Sequence, residues 1–452
     1  MQPSTVLTTV VIVVSVCAGL IGQTTESNPT VSLTYPIVDT GQTHCFSDTG
    51  QLFRLPRPGQ AYFGQDAHYL SNPPRYRDNG NGTISDLNTG LMWQKTPDLD
   101  NKPTFRQAAA GAKACRLAGY SDWRLPVIKE LYSLIDFNGN VRARSPVPYV
   151  DTQYFDFCYG NERGHNGRNI DAQYWSATEY VGTTMQGATT VFGVNFADGR
   201  IKGYPRDRGR RGGAMTQFAR YVRGNPDYGV NQFVDNQDGT ISDLATGLMW
   251  AKTDSTRPMN WRAALTYCEN LQLAGYADWR LPNAKELQSI VDYTRAPDAQ
   301  QSSQRGPAID PIFKITDSVS WAWTSTTHME AGRTMGSWAA YVAFGMATGN
   351  MSLEFGHQKR LINVHGAGAQ RSDPKTGNSN ASQWRDGFGP QGDTVRINNY
   401  VRAVRNIDPD AVKIVQPDTD RLPENQHHGM SPARGKKNGN VDPRFPVPRG
   451  RR

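Results

Sequence analysis

Short apolar stretches alternate with glycine- and asparagine-rich breaks along most of the chain, and the pattern is written twice. DNGNGTISDLNTGLMWQK at Asp78 to Lys95 returns as DNQDGTISDLATGLMWAK at Asp235 to Lys252, 157 positions later. AGYSDWRLPVIKELYSLIDF at Ala118 to Phe137 returns as AGYADWRLPNAKELQSIVDY at Ala274 to Tyr293, 156 positions later. Two long matches in one order at nearly one spacing mark a duplicated domain. WSAT at Trp175 to Thr178 is echoed by WTST at Trp323 to Thr326, and YVR at Tyr221 to Arg223 by YVRAVR at Tyr400 to Arg405. The offsets drift to 148 and 179, so insertions fall in the later half of each unit.

Each copy predicts the same elements. Around Asp78 to Lys95 the apolar runs are broken by NGNG and NTG, where Gly and Asn accept the positive φ of tight hairpin turns; the second copy uses NQDG and ATG. A helix follows, capped by Thr104 over Phe105 to Leu117, with Phe105, Ala108, Ala109, Ala112 and Cys115 on one face and Gly119 as its stop. Asn260, then Trp261, Ala264, Leu265, Cys268, Leu271 and Gly275, repeat that design. A second helix is expected from Pro126 through Leu131, Leu134 and Ile135, with a twin from Pro282 through Leu287, Ile290 and Val291. Strands and long loops come next, closing on a Val-Arg strand. The expected fold class is α+β, two tandem units each with two helices beside a small, twisted, mostly antiparallel sheet.

The units run over residues 76–225 and 230–406. The segment before them, 24–75, has no counterpart ahead of the second unit and is expected to pack on the first. Residues 356–394 read as a long polar loop inserted in the second unit, a length that is uncommon unless functional or disordered. Within residues 1–23 the apolar stretch Val6 to Gly22 suits an export signal, with a retained membrane anchor as the alternative. The formal net charge is +8, but residues 431–452 hold seven Lys and Arg against Asp442 alone, so +6 belongs to this last stretch of a Pro/Gly-rich tail, 407–452, of disordered composition. Past the signal the cysteines are Cys45, Cys115, Cys158 and Cys268. An even number suits two bridges in an oxidising compartment, with three pairings open and free buried thiols as the alternative.

Candidate chemistry is sparse. Asp78, Asn81 and Asp86, repeated as Asp235, Asp238 and Asp243, are hard oxygen donors of the kind Ca²⁺ takes, although their spacing is not that of an EF-hand and capping of turns is the favoured role. Arg124 with Glu130, and Arg280 with Glu286, are expected to form buried bidentate pairs that hold each unit together, because Arg cannot give up its proton for acid-base work. No nucleophile elbow, P-loop or HExxH occurs, and no nucleic-acid-binding motif. Sugar rings stack on aromatic faces. The tryptophans at repeated positions read as core, which leaves Trp338, Tyr341 and Trp384 as candidates for ligand contact.

The blocks D-N-x-x-G-T-x-x-D-x-x-T-G-L-M-W and G-Y-x-D-W-R-L-P-x-x-K-E-L, with W-S-x-T and a closing Y-V-R, resemble the family named after the C-terminal domain of the Legionella collagen-like protein. The resemblance covers Tyr76 to Arg223 and Phe233 to Arg405. It implies a fold similar to C-type lectins and formylglycine-generating enzymes, export, and adhesion through sulfated polysaccharides. The family often carries a cysteine in the closing strand, where this chain has Ala403, so the bridge it implies from the first helix is missing here. Formylglycine-generating enzymes need a late reactive cysteine pair, and no Cys follows Cys268. The expected function is a non-catalytic exported surface protein binding an extracellular glycan or other polyanion. A self-assembling subunit of a surface layer or filament is the alternative, and an enzyme of that fold a distant third.

Overall fold

The computed structural model describes residues 33–207, 213–329, 334–352, 358–411 and 413–414. The expected signal or anchor, and the tail beyond Ile414, lie outside the described residues, and no described helix is long and apolar enough to cross a membrane. The chain opens with an irregular segment that contains β1 (Tyr69–Leu70). The first unit then runs β2 (Tyr76–Asp78), β3 (Thr83–Asp86), β4 (Leu91–Gln94), α1 (Phe105–Ala114), α2 (Ile128–Ser133), β5 (Gln173–Glu179), β6 (Thr190–Asn195), β7 (Arg200–Pro205) and β8 (Val222–Gly224). The second runs β9 (Phe233–Asp235), β10 (Thr240–Asp243), β11 (Leu248–Ala251), α3 (Trp261–Glu269), α4 (Ala284–Ser289), β12 (Trp321–His328), β13 (Trp338–Ala343), β14 (Ala347–Met351), β15 (Arg360–Gly366), β16 (Gln370–Pro374) and β17 (Val404–Asn406). A last strand, β18 (Lys413–Ile414), pairs with β1.

The duplication is reproduced strand for strand. β2-β3-β4-β8 and β9-β10-β11-β17 are antiparallel sheets of the same order, and each buries its tryptophan, Trp93 opposite Ile84 and Trp250 opposite Ile241. α1 and α3 start where their caps dictate: Gln107 N donates to the Thr104 hydroxyl (3.4 Å), and Ala263 N to the Asn260 side chain (3.0 Å). Both helices end earlier than expected, at Ala114 and Glu269, ahead of left-handed Ala118-Gly119 and Ala274-Gly275. The second helices are shorter still. Pro126 and Pro282 lie before them, because Arg124 and Arg280 are bound in extended bridges to Val222 and Val404, which holds the chain out of a helix until Ile128 and Ala284.

The remaining strands do not form two separate sheets. β5-β6-β7 of the first unit and β12-β13-β16 of the second meet edge to edge at β7 and β16, where Ile201 pairs antiparallel with Gln370. One six-stranded sheet results, in which β5, β6 and β7 correspond to β12, β13 and β16 about a pseudo-two-fold axis. One hydrophobic cluster runs through both halves, from Leu131, Phe137 and Phe192 to Leu287, Val291 and Val342.

Three expectations need correcting. Residues 360–366 and 370–374 of the supposed polar loop are β15 and β16, and β16 lies mid-sheet. It escapes a reading by hydrophobicity because its buried residues include Gln370, Arg371 and Asp373, which are carried by polar partners rather than by apolar contact. The four described cysteines are all free. Cys268 lies inside α3 at the place of Ala112, whereas Cys115 caps α1; Cys45 rests by His68 (3.6 Å) and Cys158 by the Leu99 carbonyl (3.7 Å), so each thiol has its own separate packing site. The closing strand is also offset. Trp93 faces Val222 and Trp250 faces Val404, so Arg220 to Arg223 match Arg402 to Arg405, 182 positions apart, and not Tyr400 to Arg402.

Candidate functional site

The Asp and Asn residues considered for Ca²⁺ are engaged with their own turns. Asp78 accepts from Gly80 N (2.9 Å) and Lys95 Nζ (2.6 Å), Asn81 from Thr83 N (3.3 Å) and Oγ1 (2.7 Å), and Asp86 from Asn88 N (3.0 Å). In the second unit Asp235 accepts from Gln237 N (3.1 Å), Asp238 from Thr240 N (3.0 Å), and Asp243 from Gln232 N (2.8 Å) and Asn231 Nδ2 (2.7 Å). Among the described residues no three His, Cys, Asp or Glu side chains converge as a metal site would need. Nor do two of the three aromatics face solvent. Tyr341 is stacked on Trp321 inside the second unit (centroids 4.6 Å apart), and Trp338 is buried against Phe388 and the half-buried Trp384. A sugar could not reach either ring, and they serve as core.

Arg124 and Arg280 each grip one carboxylate with both arms, at 2.6 and 2.6 Å to Glu130 and at 2.6 and 2.7 Å to Glu286. Each glutamate also accepts the backbone N–H that opens its helix, Val127 at 2.8 Å and Asn283 at 2.9 Å. The pair therefore ties the extended R-L-P stretch to the helix start. A second repeated arginine is not apparent from the sequence motifs. Buried Arg220 donates to the carbonyls of Gln94 (2.6 Å), Lys95 and Asp156 (2.7 Å), and Arg402 to those of Ala251 (2.7 Å), Lys252 (2.8 Å) and Lys314 (2.9 Å). Its signal was the shared offset of 182, which the YVR at Tyr400 obscured.

The two Arg-Glu pairs sit at the base of equivalent clefts, and there the halves part company. In the second unit the cleft is filled by the segment ahead of the first repeat, which was expected on the first unit and touches both. That segment leaves the body at Asp39 and returns at Ser71 and Asn72, where Asp39 N donates to the Asn72 carbonyl (2.8 Å). Between them, Phe137 N donates to Thr40 O (2.8 Å) on the first-unit side, while Gln42 exchanges two 2.8 Å bonds with the backbone of Thr327 on the other. Buried Lys375 donates to the Phe46 carbonyl (2.9 Å), and Asp66 accepts from Thr326 (2.5 Å) and Thr40 (2.8 Å). Burial, then the charge of Asp39, pushes Asp66 up to about 8. Tyr69 lays its ring over Arg280 (5.5 Å) and its hydroxyl on Glu269 (2.5 Å).

In the first unit the equivalent cleft is open. Its volume is about 840 Å³, and its walls include Phe105, Lys113, Arg124, Val127 and Thr178 from that unit, with Tyr293 from the other. The linker that would have to cover it, between Gly224 and Phe233, is short and pinned: Lys129 Nζ holds the Gly229 carbonyl (3.0 Å) and Asn231 (2.8 Å). Burial lowers Lys129 to about 8, as it does the twin Lys285, which holds the Asp39 carbonyl (2.8 Å). The consequence is measurable at the paired arginines, whose side chains are 38% exposed for Arg124 and 4% for Arg280.

A model of the family described as the Lcl C-terminal domain matches residues 82–223 and 239–363. The chain belongs to this family. The two matched stretches are the two units of the fold, and the second match stops within β15, so β16 and β17 of the second Lcl C-terminal domain lie beyond it. Membership of the Lcl C-terminal domain family suggests a bacterial surface protein. No curated protein matches the chain.

Proposed function

We propose that this Lcl C-terminal domain protein is an exported, non-catalytic surface protein that binds an extracellular polysaccharide or another polyanion in an adhesin-like manner, with the open cleft of the first unit as the binding place. The observation that carries this reading is the difference between twin clefts, one covered by the chain itself and one open at about 840 Å³, a size suited to a ligand. Apolar and aromatic walls at Phe105, Val127 and Tyr293 supply contact area, and Lys113 supplies positive charge at the rim, Arg124 being paired with Glu130. Immobilised dextran sulfate is expected to retain the purified protein at low salt and release it as salt screens the charges, with Lys113→Glu eluting earlier. Equal elution of both proteins would remove the cleft from the reading, and no retention of either would remove the polyanion.

A surface-layer or filament subunit is the second reading, favoured by the same asymmetry, since a cleft that takes a polypeptide within one chain offers its twin to a neighbour. Electron microscopy of the concentrated protein separates it, through ordered sheets or fibres as opposed to single particles.

A further inference from the structure

We infer that the open cleft of the first unit receives an extended acidic polypeptide segment, with carboxylates three residues apart, laid in as residues 62–71 lie in the cleft of the second. This rests on the cleft being the binding place and names what enters it. The pseudo-two-fold supplies the template. Phe105, Lys113, Arg124, Val127, Glu130 and Thr178 line the open cleft, and their twins are Trp261, Glu269, Arg280, Asn283, Glu286 and Thr326. Those twins are what the intramolecular segment touches or covers. Tyr62 lies 6.3 Å from Trp261, Gly64 passes so close to Glu269 that a Cβ there would come within 2.5 Å of its carboxylate, Asp66 sits on Thr326, and Tyr69 covers Arg280. Removing that cover accounts for the exposure of Val127, 38% against 5% for Asn283.

Two of the template's polar contacts fix the chemistry of the guest. Thr326 accepts from Ala284 N (2.9 Å) and gives its proton to the Asp66 carboxyl group. Thr178 accepts from Ile128 N at the same 2.9 Å, so what it offers the cleft is likewise a proton, suited to a carboxyl oxygen like that of Asp66. Three residues on, the template's Tyr69 hydroxyl donates to Glu269. The twin of Glu269 is Lys113, an exposed cation, so the matching guest residue is an acid instead of a tyrosine. Arg124 and Lys129 add nothing to this discrimination, being committed to Glu130 and to the linker. The same inversion disfavours residues 62–71 of a second copy, which would bring Tyr69 against Lys113.

The test uses the full chain and two fluorescent peptides, residues 62–71 as they stand and the same peptide with Tyr69→Glu. The Tyr69→Glu peptide is expected to bind saturably, and Lys113→Glu to weaken it roughly tenfold while favouring the unaltered peptide, since an exposed charge at the rim sets pairing without holding the fold. If dextran sulfate binds in a Lys113-dependent way and neither peptide binds, the guest is a glycan and this inference falls while the cleft reading stands. If neither class binds, both fall. Concentration-dependent dimers that Lys113→Glu dissolves would assign the cleft to a second copy and overturn the inference.

Discussion

Arg280→Ala is expected to destabilise the protein by ~3 to 5 kcal/mol, the cost of leaving one member of a buried ion pair without its partner. Glu286 would keep its bond from Asn283 N but lose two charge-assisted bonds in a place closed to water by Tyr69 and Asp66. Arg124→Ala removes the same two bonds, yet the space left by the 38% exposed arginine opens onto the cleft and would let water reach the buried Glu130, so its cost is expected to be smaller, about 1 to 3 kcal/mol. Denaturant melts of the two variants decide the matter. Equal losses would mean that the cover over Arg280 contributes nothing, and no loss in either would deny the pairs a structural role.

The second large effect is on acid stability. His328 and His365 are buried at the junction of the two half-sheets, and burial, then the charges of Arg200 and Arg371 respectively, hold both well below the usual histidine range. His328 Nε2 meets the Asp198 carbonyl (2.8 Å), while Nδ1 lies 3.1 Å from the Arg200 guanidinium and 2.9 Å from the Ser372 hydroxyl. A proton arriving on Nδ1 would face a cation. Below pH ~6.5 the unfolded chain therefore takes up protons that the native state refuses, and stability falls by about 1.4 kcal/mol per pH unit for each ring. Two acids oppose this. Burial raises Asp66 to about 8 and Asp373 to about 7, so the native state holds their protons more tightly and gains stability as pH falls from those values towards ~4. The histidine contribution is thus best read as a difference. His328→Gln is expected to be less stable than the parent at pH 8, with the gap closing by about 1.4 kcal/mol per pH unit from 6.5 to 4.5. A gap constant with pH would sink the assignment.

What the sequence disclosed was local. The hairpin turns at Asp78 and Asp235, the capped starts of α1 and α3, and the Arg-Glu pairs all join residues within a few positions of one another, where spacing translates directly into geometry. What it concealed depends on distant partners. β16 reads as a polar loop because the groups that satisfy Arg371 and Asp373, namely Asp393 and Asn399, lie beyond the strand itself. The register of the closing strand is masked because YVR occurs in both places, although Arg402 does the work of Arg220 and Arg405 that of Arg223. Tyr341 reads as a ligand contact because no aromatic repeats it in the first unit, but in β13 its ring stacks on Trp321. The cleft itself had one legible sign, the reversal of charge from Lys113 to Glu269 at equivalent places in the two helices.

The meeting of β7 with β16 bears on how such a chain can be divided. Cut between Gly224 and Phe233, each portion would carry a strand whose outward N–H and C=O groups had lost their mate, and unpaired strand borders recruit whatever chain is at hand. Co-expressed halves are thus suited to finding each other, while either half alone is exposed to sticking to its own kind.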